Sequence, residues 1–157
     1  MFSKLLDLKR LLLISPEIVC ILAVGLLLQR NPDFLANIAS SVWSAKGLPS
    51  FLGGLPAALV GVSYKLGMSV LRPGEEEENK ILYEWPLYWA LEFRVYISIS
   101  ICAVATGVMA LFYLNPLEWT PATSGALFTG AMLVPVMTVV PLVAAKMAIR
   151  KILTLYR

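Results

Sequence analysis

Glutamates are the strongest candidates for chemistry in this chain. Glu17 stands near the start of the first apolar stretch, and carboxylates inside a membrane are costly and often functional. One interpretation is ion or proton handling. The alternative is a helix start, because the helix dipole favours an acid in the first turn. Arg10, Arg94 and Lys146 are the basic residues expected on the same side of the membrane.

A run of four glutamates is the second acidic candidate. It comprises Glu75, Glu76, Glu77 and Glu78, in the polar segment after the second apolar stretch. A solvated loop is the simpler interpretation. The functional one is contact with a basic protein partner, or weak cation binding. The run lacks the Asp, Asn and Gly alternation of a calcium loop, so we predict no dedicated metal site.

Catalysis has little support in the sequence. The chain has two cysteines and no histidine, so the commonest base for activating a nucleophile is missing. Cys20 and Cys102 both lie in apolar stretches, where we expect reduced packing residues; a disulfide or a metal pair is the alternative. No glycine-rich phosphate loop follows a strand pattern. We therefore predict a protein that is not an enzyme and holds no cofactor.

Composition indicates a membrane protein. The 157 residues are 59% hydrophobic and 15% charged, and the mean hydropathy is +0.77. A soluble domain carries about 25% charged residues, because its surface must be solvated. The net charge of +3 is small and unevenly placed, which gives no clustered basic face for nucleic acid. The lipid bilayer is therefore the first predicted partner.

Four apolar stretches predict an all-α fold, an integral membrane bundle of four transmembrane helices forming a single domain. The predicted spans are residues 11–28, 48–71, 95–114 and 125–145. Short interfacial amphipathic helices are predicted at 2–13 and 32–45, the latter on the outer surface, with a cytoplasmic loop at 72–94. Glycines and a proline interrupt residues 48–71, so a re-entrant loop is the alternative there.

The first stretch contains a helix-start signal. Ser15 is a good N-cap, Pro16 suits the first helical position, and Glu17 complements the dipole. The alternative is one continuous helix that is kinked at Pro16. No small-residue cleavage site precedes the polar residues 29–33, so we interpret the stretch as a retained span and not as a signal peptide.

The placement of basic residues predicts the orientation. Residues 115–124 carry no Lys or Arg, whereas the end after the last stretch carries Lys146, Arg150, Lys151 and Arg157. Cytoplasmic flanks of membrane spans hold an excess of such residues. We therefore predict that both termini are cytoplasmic, which also places the N-terminal cluster Lys4, Lys9 and Arg10 inside. Three spans with an external N-terminus is the alternative.

Two stripes of small residues recur at a spacing of four. They are Gly53, Ala57 and Gly61 in the second span, and Ser98, Cys102, Thr106 and Ala110 in the third. Small residues at this spacing let helices approach closely. Packing of the two stripes within one bundle is the simpler interpretation. The sharper one is that at least one stripe contacts another subunit.

Two prolines lie inside the fourth span. Pro135 and Pro141 are six residues apart, with Thr138 between them. Each proline removes a backbone donor, which lipid cannot replace. A kinked helix shaped for packing is the simpler interpretation, and a gate or a pore-lining broken helix is the functional one.

Two functions remain open from the sequence. The favoured one is a membrane subunit or anchor that self-associates or joins other membrane subunits, with a cytosolic protein bound to loop 72–94. The other is a small oligomeric ion channel or pore, lined by the prolines of the fourth span and the glycines of the second. Gating of that pore by a cytosolic partner is a special case. No stretch of the chain resembles a protein family.

Overall fold

The structure, a computed structural model, describes residues 15–45, 48–74, 76–115 and 117–156. Every regular element within these ranges is a helix, which confirms the predicted all-α class. In chain order the helices are α1 Pro16–Arg30, α2 Pro32–Ser44, α3 Leu48–Leu71, α4 Glu76–Tyr83, α5 Tyr88–Leu114 and α6 Pro121–Tyr156. The predicted interfacial helix at 2–13 lies outside the described residues.

Three of the described helices are long and apolar enough to cross a membrane. The candidate spans are Phe51–Leu71, Tyr88–Leu114 and Pro121–Ile149. The pair α1 and α2 passes the same test together, but it is bent by 105° at Asn31, as in a broken span or a re-entrant loop. The described part of the chain therefore has three to four candidate membrane spans.

The sharp bend in this fold lies between α1 and α2, whereas the sequence pattern indicates residues 48–71 as the possible re-entrant loop. α3 is one continuous helix through Pro56, so residues 48–71 do not form a re-entrant loop. The break at Asn31 has a local cause: a residue before proline is driven out of the helical region. Asn31 has φ −145° and ψ 65°, and Pro32 then opens α2 at its first position.

The predicted loop 72–94 is largely helical, which corrects the sequence-based prediction. α4 lies within it, and α5 begins at Tyr88, well before residue 95. The apolar run defines only the lipid-facing core of a span, whereas the helix continues through aromatic and charged residues at its end. α6 also extends beyond the predicted 125–145, from Pro121 to Tyr156.

α6 is the centre of the bundle, since it packs against α1, α2, α3 and α5, and α3 also packs against α5. Two hydrophobic clusters lie toward opposite ends of α5. One contains Val70, Leu71, Val95 and Leu142; the other contains Ala39, Val42, Met109, Phe112, Phe128 and Ala131. We name these ends the Arg94 end and the Phe112 end.

α2 is held against the bundle by its inward side. Leu35, Ala39 and Val42 are buried, whereas the side chains of Phe34 and Trp43 are about half exposed. The backbones approach closely at Gly125 of α6, where an added Cβ would lie 1.9 Å from the carbonyl oxygen of Leu35. α2 thus contributes directly to the core at the Phe112 end.

Candidate functional site

A buried ion pair joins α1 to α5 at the Arg94 end. The Glu17 side chain is 1% exposed and the Arg94 side chain 16%. Nη2 of Arg94 donates to Oε1 of Glu17 at 2.6 Å and to Oε2 at 2.9 Å. Nη1 donates to the hydroxyl oxygen of Ser15 at 3.4 Å, and that hydroxyl donates to Oε2 of Glu17. Both carboxylate oxygens are therefore engaged.

The local sequence explains how Glu17 reaches this position. α1 begins at Pro16, and Ser15 is extended with φ −70° and ψ 126°, so the helix-start interpretation describes the junction. Ser15 makes no capping bond to the α1 backbone. Its hydroxyl turns to Glu17 instead, which departs from the predicted N-cap role. Of the three basic residues predicted on the same side as Glu17, Arg94 binds it, and Arg10 lies outside the described residues.

The arrangement of this pair favours anchoring over proton transfer. A buried carboxylate needs a compensating charge, and here one guanidinium nitrogen of Arg94 contacts both carboxylate oxygens of Glu17. α1 otherwise packs mainly on α6 and α2, so the Glu17–Arg94 pair adds a direct polar link to α5. Its chemistry is to fix the position of α1 relative to α5 at the Arg94 end.

The predicted stripe on α5 faces partly into the bundle. Ser98 and Cys102 are fully buried, Thr106 is half-buried and Ala110 is exposed. The Cys102 thiol lies 3.1 Å from the Ser63 hydroxyl of α3, and both cysteines are free. The inner half of the stripe therefore packs α5 against α3.

The other predicted stripe, on α3, faces away from the bundle for most of its length. An added Cβ at Gly53 would lie 2.8 Å from Cε2 of Tyr113, but one at Gly61 would meet nothing within 4 Å. Ala57 is exposed as well. The two predicted stripes therefore do not pack against each other.

The side of α3 that does pack was missed by the sequence reasoning. It carries Ser63 and Gly67, and an added Cβ at Gly67 would lie 2.5 Å from Cγ1 of Val95. The signal was present, because Ser63 and Gly67 are small and four residues apart. The sequence alone did not show which of the two small-residue stripes packs, since α3 has apolar residues on nearly every side.

A surface of small side chains remains open on α3, and we name it the α3 outer face. Its members are all exposed and recur at positions i, i+3, i+4 and i+7, which lie on one side of a helix: Gly54, Ala57, Ala58 and Gly61. Added Cβ atoms at Gly54 and Gly61 would meet no neighbour within 4 Å. Another helix could therefore approach the α3 backbone closely here.

α6 runs unbroken through its two prolines. Pro135 is fully buried and Pro141 is half-buried. Thr138, also fully buried, donates its hydroxyl to the carbonyl oxygen of Val134 at 2.8 Å. The described geometry is that of a packed helix, as in the simpler of the two sequence interpretations.

The glutamate run opens a helix. Glu75 lies outside the described residues, and Glu76, Glu77 and Glu78 form the first turn of α4. The Asn79 side chain makes two hydrogen bonds to the backbone of Gly74. Its amide oxygen accepts from the Gly74 N–H at 3.4 Å, and its amide nitrogen donates to the Gly74 carbonyl oxygen at 3.1 Å. Acidic residues are favoured in a first helical turn, which accounts for their position.

An open groove of about 620 Å³ lies between α1, α5 and α6. Its lining is almost entirely apolar and includes Ile21 and Gly25 of α1, Ile97 and Val104 of α5, and Gly130 of α6. No sequence pattern predicted this groove, because its lining comes from three helices that meet only in the folded chain.

Comparison with protein-family models, curated proteins and solved structures found no match to this chain. The fold and the site therefore define a class only. Over the residues that the structure describes, every regular element is a helix, and three to four helices are apolar enough to cross a membrane.

Proposed function

We propose that this protein is a non-enzymatic, multi-pass membrane subunit that self-associates through the α3 outer face. The observation that carries this proposal is the set of small, exposed residues on α3, where added Cβ atoms at Gly54 and Gly61 would meet no described neighbour within 4 Å. Lipid gives helices no hydrophobic reason to associate, so close backbone approach at small residues is a principal source of affinity.

The size of the bundle supports association. Only 28 to 33% of the residues in each candidate span window are buried within the chain. The closely packed positions, such as Gly67 and Gly125, already serve internal contacts. The α3 outer face also consists of small residues, but added Cβ atoms at Gly54 and Gly61 would meet no described neighbour within 4 Å. This favours a second copy of the chain as its partner.

We further propose four spans, with α1 and α2 together as the first, and both termini in the cytoplasm. The Arg94 end then faces the cytoplasm, because Arg72, Arg94 and Lys146 follow or precede apolar helix segments there. α4 and its glutamates lie on the same side in this arrangement, where they could contact a basic cytosolic partner.

A channel is the less favoured function. Pore-lining helices in lipid need breaks or polar linings, but α6 is continuous and the groove is apolar. The buried hydroxyls of Ser98 and Thr138 donate to carbonyls of their own helices. These hydroxyls are used within their helices and do not line a path through one chain. A pore would have to form between copies of the chain.

The test is the oligomeric state of the purified protein in lipid nanodiscs or bicelles, followed by energy transfer between labelled copies on dilution with lipid. We expect wild type to self-associate, and Gly61→Leu to weaken association at least tenfold, because the leucine blocks close approach. The matched control is Gly107→Leu, on an equally open glycine of α5. A monomeric wild type, or equal association of both variants, would refute the proposal.

A further inference from the structure

The groove between α1, α5 and α6 begins beside the buried ion pair. Ile21 lies four residues after Glu17, and Ile97 lies three residues after Arg94, so each lining residue is about one helical turn away. A molecule lying along the groove would therefore have one end about one helical turn, or about 5 Å along the axis, from Arg94. This juxtaposition of an apolar channel and a cation is the basis of the inference.

The groove has the length and the apolar lining that an acyl chain needs. Its α5 wall from Ile97 to Val108 rises about 16 Å at about 1.5 Å per residue. A polymethylene chain lying along this wall would contact apolar side chains of α1, α5 and α6 over its length.

Two glycines keep the groove open from opposite walls. Gly25 of α1 and Gly130 of α6 both line it, and an added Cβ at either position would meet nothing within 4 Å. The space in front of them is thus unfilled by the chain itself. Hydrocarbon is the natural solvent of such a surface in a bilayer.

Arg94 retains donors for an anion. Its bonds to Glu17 and Ser15 use three of the five guanidinium N–H groups. The other two make no hydrogen bond to a described residue, and the side chain is 16% exposed. Guanidinium binds phosphate strongly, through charge-assisted and often bidentate bonds.

We propose that the groove binds one phospholipid, with an acyl chain along α5 and its phosphate at Arg94. Because hydrocarbon already surrounds the protein, burial of the chain adds little free energy on its own. Retention depends on close packing against the groove wall and on the phosphate contact. This site is separate from the α3 outer face and does not rest on the proposed function.

The test is native mass spectrometry of the delipidated full chain in mild detergent, to which palmitoyl-oleoyl phosphatidylglycerol is added at increasing ratios. We expect one tightly retained phospholipid per chain. Gly130→Leu and Gly25→Leu fill the groove from its two walls and should each lower the retained fraction at least tenfold. Gly107→Leu adds the same side chain outside the groove and should leave the retained fraction of phospholipid unchanged.

A second arm replaces the phospholipid with a diacylglycerol that has the same two chains and no phosphate. We expect at least tenfold weaker retention, because the Arg94 contact is lost. Equal retention of the two lipids would overturn the phosphate contact. Equal retention by all variants would overturn the groove as the site. If Gly130→Leu lowered the oligomeric state and left lipid retention unchanged, the groove would be an interface between copies.

Discussion

Gly125 and Gly61 both lie in apolar helices, yet their surroundings are opposite. A Cβ at Gly125 would lie 1.9 Å from the backbone of α2, whereas a Cβ at Gly61 would meet nothing within 4 Å. The first glycine is required by a contact that the chain completes by itself. The second has no such contact, which suggests that its partner lies in another molecule. Substitutions at each kind of glycine separate folding from association.

The largest expected effect is that of Gly125→Ala. The new methyl group would collide with the Leu35 carbonyl, which is backbone and cannot rotate away, so α2 must move off α6. We expect a loss of about 3 kcal/mol in the free energy of unfolding, measured by SDS titration in micelles. Gly130→Ala is the matched control on the same helix, and we expect it to change stability by less than about 1 kcal/mol. Equal effects would contradict the close contact.

Removal of the buried Glu17 carboxylate is expected to cause the second-largest loss in the free energy of unfolding. Glu17→Ala leaves Arg94 without its partner, and we expect a loss of about 2 kcal/mol, since Arg94 keeps some exposure. The double variant Glu17→Leu with Arg94→Met removes both charges and should recover stability to within about 1 kcal/mol of wild type. If the double variant were no better than the single one, the pair would not be a simple anchor.

A smaller effect is expected at the contact between α3 and α5. Gly67→Ala would place a methyl group 2.5 Å from Cγ1 of Val95, a side-chain atom that can shift. We expect a loss of about 1 kcal/mol. Val95→Ala in the same chain should relieve it, and a double-mutant cycle measures the coupling. Additive effects of the two substitutions would show that these residues do not touch.

Three of the four predicted spans coincide with helices that are apolar enough to cross a membrane, because a hydrocarbon core needs about 20 apolar residues, a property of composition alone. The face that each helix buries could not be predicted in this way. α3 and α5 are apolar on nearly every side, so periodicity gives no direction. Gly53, Ala57 and Gly61 were therefore not distinguished from Ser63 and Gly67. Ser63 and Gly67 both pack against α5, whereas Gly53 contacts it and Gly61 meets no neighbour.

The ion pair shows a similar limit. Glu17 and a short set of basic partners followed from membrane position, because charges in lipid must pair. The choice of Arg94 depends on how α1 lies against α5, which no local pattern contains. The break at Asn31 was visible as an Asn-Pro pair, but its consequence, a 105° bend that turns α2 toward the core, is a tertiary property.

The smallest expected effect on folding belongs to the α3 outer face. Gly61→Leu should change the free energy of unfolding by less than about 0.5 kcal/mol, because the position is exposed and lacks neighbours. Its effect should appear in association alone. A loss of stability similar to that of Gly125→Ala would mean that Gly61 is packed within the chain.

The most direct test of self-association is oxidative cross-linking of Gly61→Cys in membrane vesicles. Two copies meeting at their α3 outer faces would bring these thiols within disulfide range, a Cα separation of about 4.4–6.8 Å. We predict a covalent dimer for Gly61→Cys, and none above the wild-type background of Cys20 and Cys102 for Gly107→Cys. Equal cross-linking at positions 61 and 107, or none at either, would contradict the central claim.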